Sequence, residues 1–138
     1  MVETFALNLA SPEKLLLSQN VEMVVLPAEE GDLGVLPGHT PVIAALRSGV
    51  LCIFTKGKVT ERIFVDGGFL EITPERCTVL TESAFPLTDA DPATLRRDVT
   101  RHQEIWNTAL GDDTRAAAAQ ALHLAERKLA AVENPAYA

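Results

Sequence analysis

Hydrophobic and polar positions alternate along much of the first 88 residues. In Thr4–Leu9, Phe5, Leu7 and Leu9 fall on one side of an extended chain and Ala6 and Asn8 on the other, the pattern of a half-buried strand. Val21, Met23 and Val25 alternate around Glu22, while Val24 and Leu26 fill the opposite parity, which predicts a strand covered on both faces. Val50–Thr55 and Val59–Val65 flank Lys56-Gly57-Lys58 and predict a hairpin that turns at Gly57. Phe69–Thr73 and Cys77–Glu82 flank Pro74-Glu75-Arg76 and predict a second one. Short strands at this spacing predict an antiparallel β-sandwich or flattened barrel.

The period changes near residue 86. Pro86 and Asp89-Ala90-Asp91-Pro92 read as a linker and a helix start, with Asp91 suited to the N-cap and Pro92 to the first helical position. Leu95, Val99, His102, Trp106 and Ala109 then recur at helical spacing. Gly111 is expected to end this helix, and Asp112 or Asp113 to cap the next. A second stripe, Ala118, Leu122, Ala125, Leu129 and Val132, runs to a stop at Pro135. The expected organisation is a sandwich over 1–86, a linker over 87–90 and an antiparallel two-helix hairpin over 91–134. The stripe on the second helix is mostly Ala and Leu, so it buries little area and predicts a hairpin held less firmly than the sandwich.

Composition narrows the classes. With 138 residues, 47% of them hydrophobic, the chain can build a real core. The net charge of −7 divides as −6 over residues 1–90 and −1 over 91–138, without a basic stripe, which argues against nucleic acid and anionic lipid as partners. The apolar runs are too short for a membrane span, which needs roughly 20 residues. MVETFALNL has no positive n-region or signal-type cleavage site, so the expectation is a cytoplasmic protein, or one attached to a membrane through partners. Cys52 and Cys77 lie in strand-like stretches and read as buried free thiols, with a disulfide as the alternative.

Candidate chemistry is sparse. His39 lies in Pro37-Gly38-His39-Thr40-Pro41 with no nucleophile or partner carboxylate signalled beside it. A ring bonded to the backbone of its own turn, or of a partner, explains it better than catalysis. His102 sits on the apolar stripe of the first helix and His123 on the outer face of the second, so the three histidines make no metal site. Asp66-Gly67-Gly68 lacks the frame of a phosphate loop and opens no helix, which reads as a turn or bulge. Lys56, Lys58 and Arg62 form a solvated hairpin face, and Arg96, Arg97 and Arg101 with Asp98 and Glu104 are helix-surface charges, some paired along the helix. No catalytic constellation, metal or cofactor is expected.

The densest local signal is Glu29–Gly49. Gly31, Gly34, Pro37, Gly38 and Pro41 fall within eleven positions there, with Leu33, Val35 and Leu36 between them. Glycine and proline at this density predict a shaped loop rather than a helix or regular strand, and apolar side chains on such a loop suit a docking surface. The segment matches EGxLGxxPGHxPxxxxxxxG from Glu30 to Gly49, and so resembles the epsilon subunit of bacterial F-type ATP synthases. The resemblance covers about residues 4 to 88: the FALNLASPEKLLLSQNVEMVVLPAEEG opening, Asp66-Gly67-Gly68-Phe69-Leu70-Glu71-Ile72, and Thr78-Val79-Leu80 followed by Ala84. The C-terminal part agrees in pattern more than in letters.

The resemblance implies a non-catalytic rotor subunit with an N-terminal β-sandwich and a C-terminal helical hairpin, joining the gamma subunit to the c-ring. In many members the hairpin can rise toward the alpha/beta head and inhibit ATP hydrolysis. Carried over by position, the c-ring contact is Glu30, Gly31, Asp32, Leu33, Gly34, Pro37, Gly38 and His39. The gamma contact includes Ser11, His39, Thr40, Pro41 and Ala44. The implied location is the cytoplasmic face of the bacterial plasma membrane, as a peripheral protein; no transit segment precedes Thr4, which favours a bacterial over a mitochondrial origin. One departure concerns ATP. Family members that bind it in the hairpin have an I/L-D-x-x-R-A pattern, whereas Asp91 is followed here by Thr94 in place of the arginine, so no nucleotide site is expected. The rival from another class is an unrelated β-sandwich binding module with a helical dimerisation hairpin.

Overall fold

A computed structural model describes residues 2–135. Ten strands precede two helices: β1 (Phe5–Ala10), β2 (Leu15–Val21), β3 (Met23–Ala28), β4 (Gly31–Val35), β5 (Val42–Leu46), β6 (Gly49–Thr55), β7 (Lys58–Val65), β8 (Gly68–Thr73), β9 (Arg76–Leu80), β10 (Ala84–Pro86), α1 (Pro92–Thr108) and α2 (Asp112–Glu133). The strands follow the order β10-β7-β6-β3-β5-β8-β9-β1-β2, with β4 on the free side of β3. The path folds over where β3 meets β5 through one register pair, Ala28 with Leu46. This gives two five-stranded layers, β10-β7-β6-β3-β4 and β5-β8-β9-β1-β2. The inward parity of both layers, including Leu7, Leu9, Val24, Leu26, Leu51, Ile53, Leu70, Ile72, Cys77 and Val79, makes one buried core.

The expected sandwich and hairpin are both present, with four differences. The ladders are antiparallel except that β1 pairs with β9 in parallel. Strand β2, which alternation did not single out, follows the Ser11–Lys14 turn; its bulge opposite Leu9 and Ala10 blurs the period. The Glu29–Gly49 segment is not one loop: β4 pairs with β3 from Gly31 to Val35, and Val42–Leu46 is also a strand. Backbone pairing there outweighs the poor strand propensity of two glycines. Finally, α1 ends at Thr108, three residues before Gly111, and Gly111 itself is the N-cap of α2. Asp112 and Asp113 lie inside the first turn of α2, where carboxylates offset the helix dipole.

Other local expectations hold. Lys56 (φ 55°) and Gly57 (φ 77°) make the two-residue turn between β6 and β7, a type I′ geometry. Asp91 accepts from the Ala93 N–H at 3.1 Å and from the Thr94 hydroxyl at 3.0 Å, which together hold its carboxyl below the usual range. Cys52 and Cys77 are free and buried; burial raises the Cys52 thiol and pushes Cys77 up to about 12. The helical stripes face each other, with Leu95, Ala109, Ala118, Leu122 and Ala125 buried, and these residues lie outside the sandwich core cluster.

Gly68 starts β8 between β5 and β9 at φ 114°, and a Cβ there would sit 1.9 Å from the Leu80 carbonyl oxygen. Backbone cannot yield as a flexible side chain does. Gly68→Ala is therefore expected to cost more than about 3 kcal/mol. Gly38→Ala, at φ 82° with nothing within 4 Å, costs about 1 kcal/mol. Urea unfolding of both variants checks the ranking, and equal losses would contradict it.

Candidate functional site

Strand β4 carries the predicted docking residues at its two ends. At one end, Glu29 and Glu30 form the turn from β3, and Glu30, Gly31 and Asp32 are exposed. Arg47 reaches this turn from the end of β5, donating to the Ala28 carbonyl and to Asp32 Oδ1, each at 2.5 Å. Both side chains of the Arg47–Asp32 pair are well exposed, so water screens it and the turn keeps its acidic character. A groove of about 500 Å³ separates the turn from β5, lined by Glu29, Glu30, Asp32, Leu33, Ile43 and Ala45 among others. Leu33 leans onto the core, and the space at Gly34 is taken by the Met23 side chain.

The other end is the turn Leu36-Pro37-Gly38-His39. The His39 N–H donates to the Leu36 carbonyl at 3.2 Å, with proline second and a glycine at φ 82° third, which is a type II turn. The Gly38 N–H donates to the Pro74 carbonyl at 2.9 Å and ties this turn to the β8–β9 hairpin. His39 Nδ1 lies 2.6 Å from the Thr40 carbonyl, an arrangement that needs the proton on Nδ1 and commits the ring to its own turn. Five strand residues separate the two ends by about 17 Å. The eight residues carried over as one contact thus span the two turns at the ends of one strand, a distance within the width of a single protein interface.

The residues predicted to meet a second partner are also divided. The Ser11 N–H donates to the Lys14 carbonyl at 2.9 Å and closes the β1–β2 turn. Thr40 and Pro41 are exposed just before β5, at the opposite corner of the same layer. Ala44 packs against the core and is half-buried.

What lies between those corners was missed by sequence reasoning. Register places Ala45, Phe69, Leu80, Ala10 and Leu15 side by side across β5-β8-β9-β1-β2. Phe69 is 62% exposed, Leu80 54% and Leu15 60%, and Ile43, one step along β5, is 76% exposed. The adjacent row, Ile43, Glu71, Thr78, Asn8 and Ser18, is polar apart from Ile43 at its β5 end, with the Ser18 hydroxyl donating to Asn8 Oδ1 at 2.8 Å. An apolar row crossing an entire sheet beside a polar one is an unpartnered face of the kind that binds protein. The signal available in sequence was the apolar residue on both parities of β5 and β8, but nothing there set these five strands side by side.

The hairpin groups are engaged with one another. Thr94 donates to Asp91, Arg97 donates to the Thr94 hydroxyl at 3.1 Å, and Arg96 pairs with Glu133 of α2 at 3.3 Å. Arg115 stacks over the Trp106 ring at 4.5 Å near the interhelical turn. Among the described residues no group of three or more His, Cys, Asp or Glu could hold a metal ion, and no helix is long and apolar enough to cross a membrane.

Comparison with known proteins agrees with this architecture. Residues 4–87 match the beta-sandwich domain of the ATP synthase Delta/Epsilon chain family. The ATP synthase epsilon chain of Rhodospirillum rubrum is 44% identical over 131 residues, 95% of this chain and 98% of that one. The epsilon chain of Granulibacter bethesdensis is 56% identical over 84 residues, 61% of this chain and 62% of that one. A chain in the cryo-EM structure of the Euglena gracilis mitochondrial ATP synthase (OSCP/F1/c-ring) shares the fold, with a TM-score of 0.80 at 23% identity, covering 94% of this chain and 81% of its own. The family match displaces the reading of an unrelated binding module: sandwich, hairpin and near-full-length similarity together mean that this chain belongs to the ATP synthase epsilon-chain family.

Proposed function

We propose that this chain is the non-catalytic central-stalk subunit of a bacterial F-type ATP synthase, joining the c-ring to the gamma subunit. It is peripheral to the cytoplasmic face of the plasma membrane and held there through the ring. The exposed row Phe69–Leu80–Leu15, with Ile43 beside it, is the observation that supports this most, because a contiguous apolar row across a sheet gives a partner subunit apolar surface to bury. Gamma covers this row, with Ser11 at one corner and Pro37–Pro41 at the other. His39 belongs with gamma in this reading, since its turn leads directly into β5. The c-ring meets the acidic end of β4, at Glu30, Gly31 and Asp32. Leu33, Gly34, Pro37, Gly38 and His39 continue from this end along β4 to the turn that enters β5.

The hairpin is an appendage in this reading. The sandwich core closes without it, and the arginines that could meet phosphates already hold Thr94 and Glu133. Whatever inhibition of ATP hydrolysis it exerts does not depend on ATP binding to this chain.

Three outcomes are expected. Phe69→Glu lowers affinity for gamma at least about 30-fold, the level of a hot-spot residue, yet changes unfolding stability by less than about 0.5 kcal/mol because the side chain is exposed. Titration of gamma against purified variant measures the first and urea unfolding the second; unchanged gamma affinity would move the interface elsewhere. A chain ending at Ala90 keeps β10 and its Phe85–Phe64 stack, so it folds and still joins gamma to the ring. In the full chain, millimolar ATP gives no saturable change in Trp106 fluorescence. Failure of the shortened chain to assemble, or a saturable ATP response abolished by Arg96→Ala, would contradict the account of the hairpin.

A further inference from the structure

The chain turns a corner at Arg47 and Ser48, between β5 and β6, and three parts of the molecule meet there. The Arg47 N–H donates to the Pro27 carbonyl at 2.9 Å, and its guanidinium holds Ala28 O and Asp32 in the acidic turn. The Ser48 hydroxyl donates to Asp66 Oδ1 at 2.8 Å, in the β7–β8 turn. From α2, Arg127 Nη1 donates to the Ser48 carbonyl at 3.0 Å. One peptide corner therefore anchors both the acidic turn and the hairpin. Elsewhere α2 rests against β6, Lys128 Nζ lies 5.9 Å over the Phe85 ring, and Val132 and Pro135 border an open cleft of about 730 Å³ that also contains Leu16, Ile63 and Leu87. The buried side chains of the hairpin do not extend the sandwich core.

We propose that the Arg47–Ser48 corner is a joint linking the acidic turn to the docking of the hairpin. A guanidinium or ammonium group on the surface facing the turn competes with Arg47 for Asp32. The freed corner then holds Arg127 less well, and α2 lifts. By reciprocity, docking of α2 steadies the turn and lowers its affinity for such a partner. The linkage itself belongs to the isolated chain; its consequence in the assembled synthase rests on the reading of the turn as the c-ring contact.

Chymotryptic cleavage of the native full-length chain after Leu87, mapped by mass spectrometry, tests the linkage. Leu87 is half-buried in the cleft it shares with Val132 and Pro135, so it loses that cover when α2 lifts, and the rate of cleavage there rises with the open population. Arg127→Ala raises the initial rate about two- to tenfold, the range for one lost hydrogen bond. Asp32→Asn, which removes charge and keeps shape, raises it by a similar factor. Arg47→Lys, which keeps charge and loses the two-pronged geometry, does the same and serves if Asp32→Asn unfolds the chain, which early cleavage after the core residue Phe5 would reveal. With Arg127→Ala present, Asp32→Asn adds nothing further. The proposal is overturned if Arg127→Ala leaves the rate unchanged, if Asp32→Asn and Arg47→Lys both leave it unchanged, or if the effects multiply in the double variant. Intact linkage with no binding to the c-ring would count against the assigned partner alone.

Discussion

Strand β3 is hydrogen-bonded to three neighbours, and the sandwich depends on that. It pairs with β4 from Val24 to Ala28 on one edge, and on the other with β6 at its start and β5 at its end. The chain can serve β3 twice on one edge because β5 and β6 are nearly one strand, bent at Arg47-Ser48. Beyond the bend, β5 leaves β3 and pairs with β8, which starts the second layer. The Arg47 N–H bond to Pro27 and the Glu29 N–H bond to Ala45 O, at 3.0 Å, satisfy backbone that the bend would otherwise leave open. Side-chain alternation then carries both inner faces into one core.

The two outer faces differ, and function follows from the difference. On the first layer, Val25, Cys52 and Phe64 point away from the core yet are 7%, 0% and 1% exposed. The hairpin lies on this side: α2 rests against β6, and Lys128 covers Phe85, which stacks on Phe64 at 5.4 Å. On the second layer the comparable face holds Phe69, Leu80, Leu15 and Ile43 in the open. The protein covers one apolar face with its own helices and leaves the other exposed. The cover is light, since the hairpin buries mainly alanine and leucine between its own helices.

Much of this was readable from the chain alone. Period-2 alternation placed β1, β3 and β6–β9, because a sheet with one buried face imposes that parity on the sequence. Asp91-Pro92 marked the start of α1, since capping chemistry is local. The same locality misled at Gly111: glycine suits the end of one helix and the start of the next, and the packing of Ala109 and Trp106 against α2 decided between them. The Gly- and Pro-rich segment was recognisable as special, and the type II turn at Pro37-Gly38 is written in its letters. That Gly31–Val35 is a strand is not, because its pairing with β3 comes from a neighbour rather than from propensity.

The exposed apolar face belongs wholly to tertiary structure. Leu15, Ile43, Phe69 and Leu80 stand in four separate stretches of sequence, each an ordinary apolar residue in a strand. Register set by the hairpin turns, by the bulge in β2 and by the parallel β1–β9 pairing brings them into one band. Ala44 and Ile43 show the limit most plainly. Sequence could place both at a docking strand, but which one faces solvent depends on the side from which the second layer closes over the core, and only the folded chain fixes that.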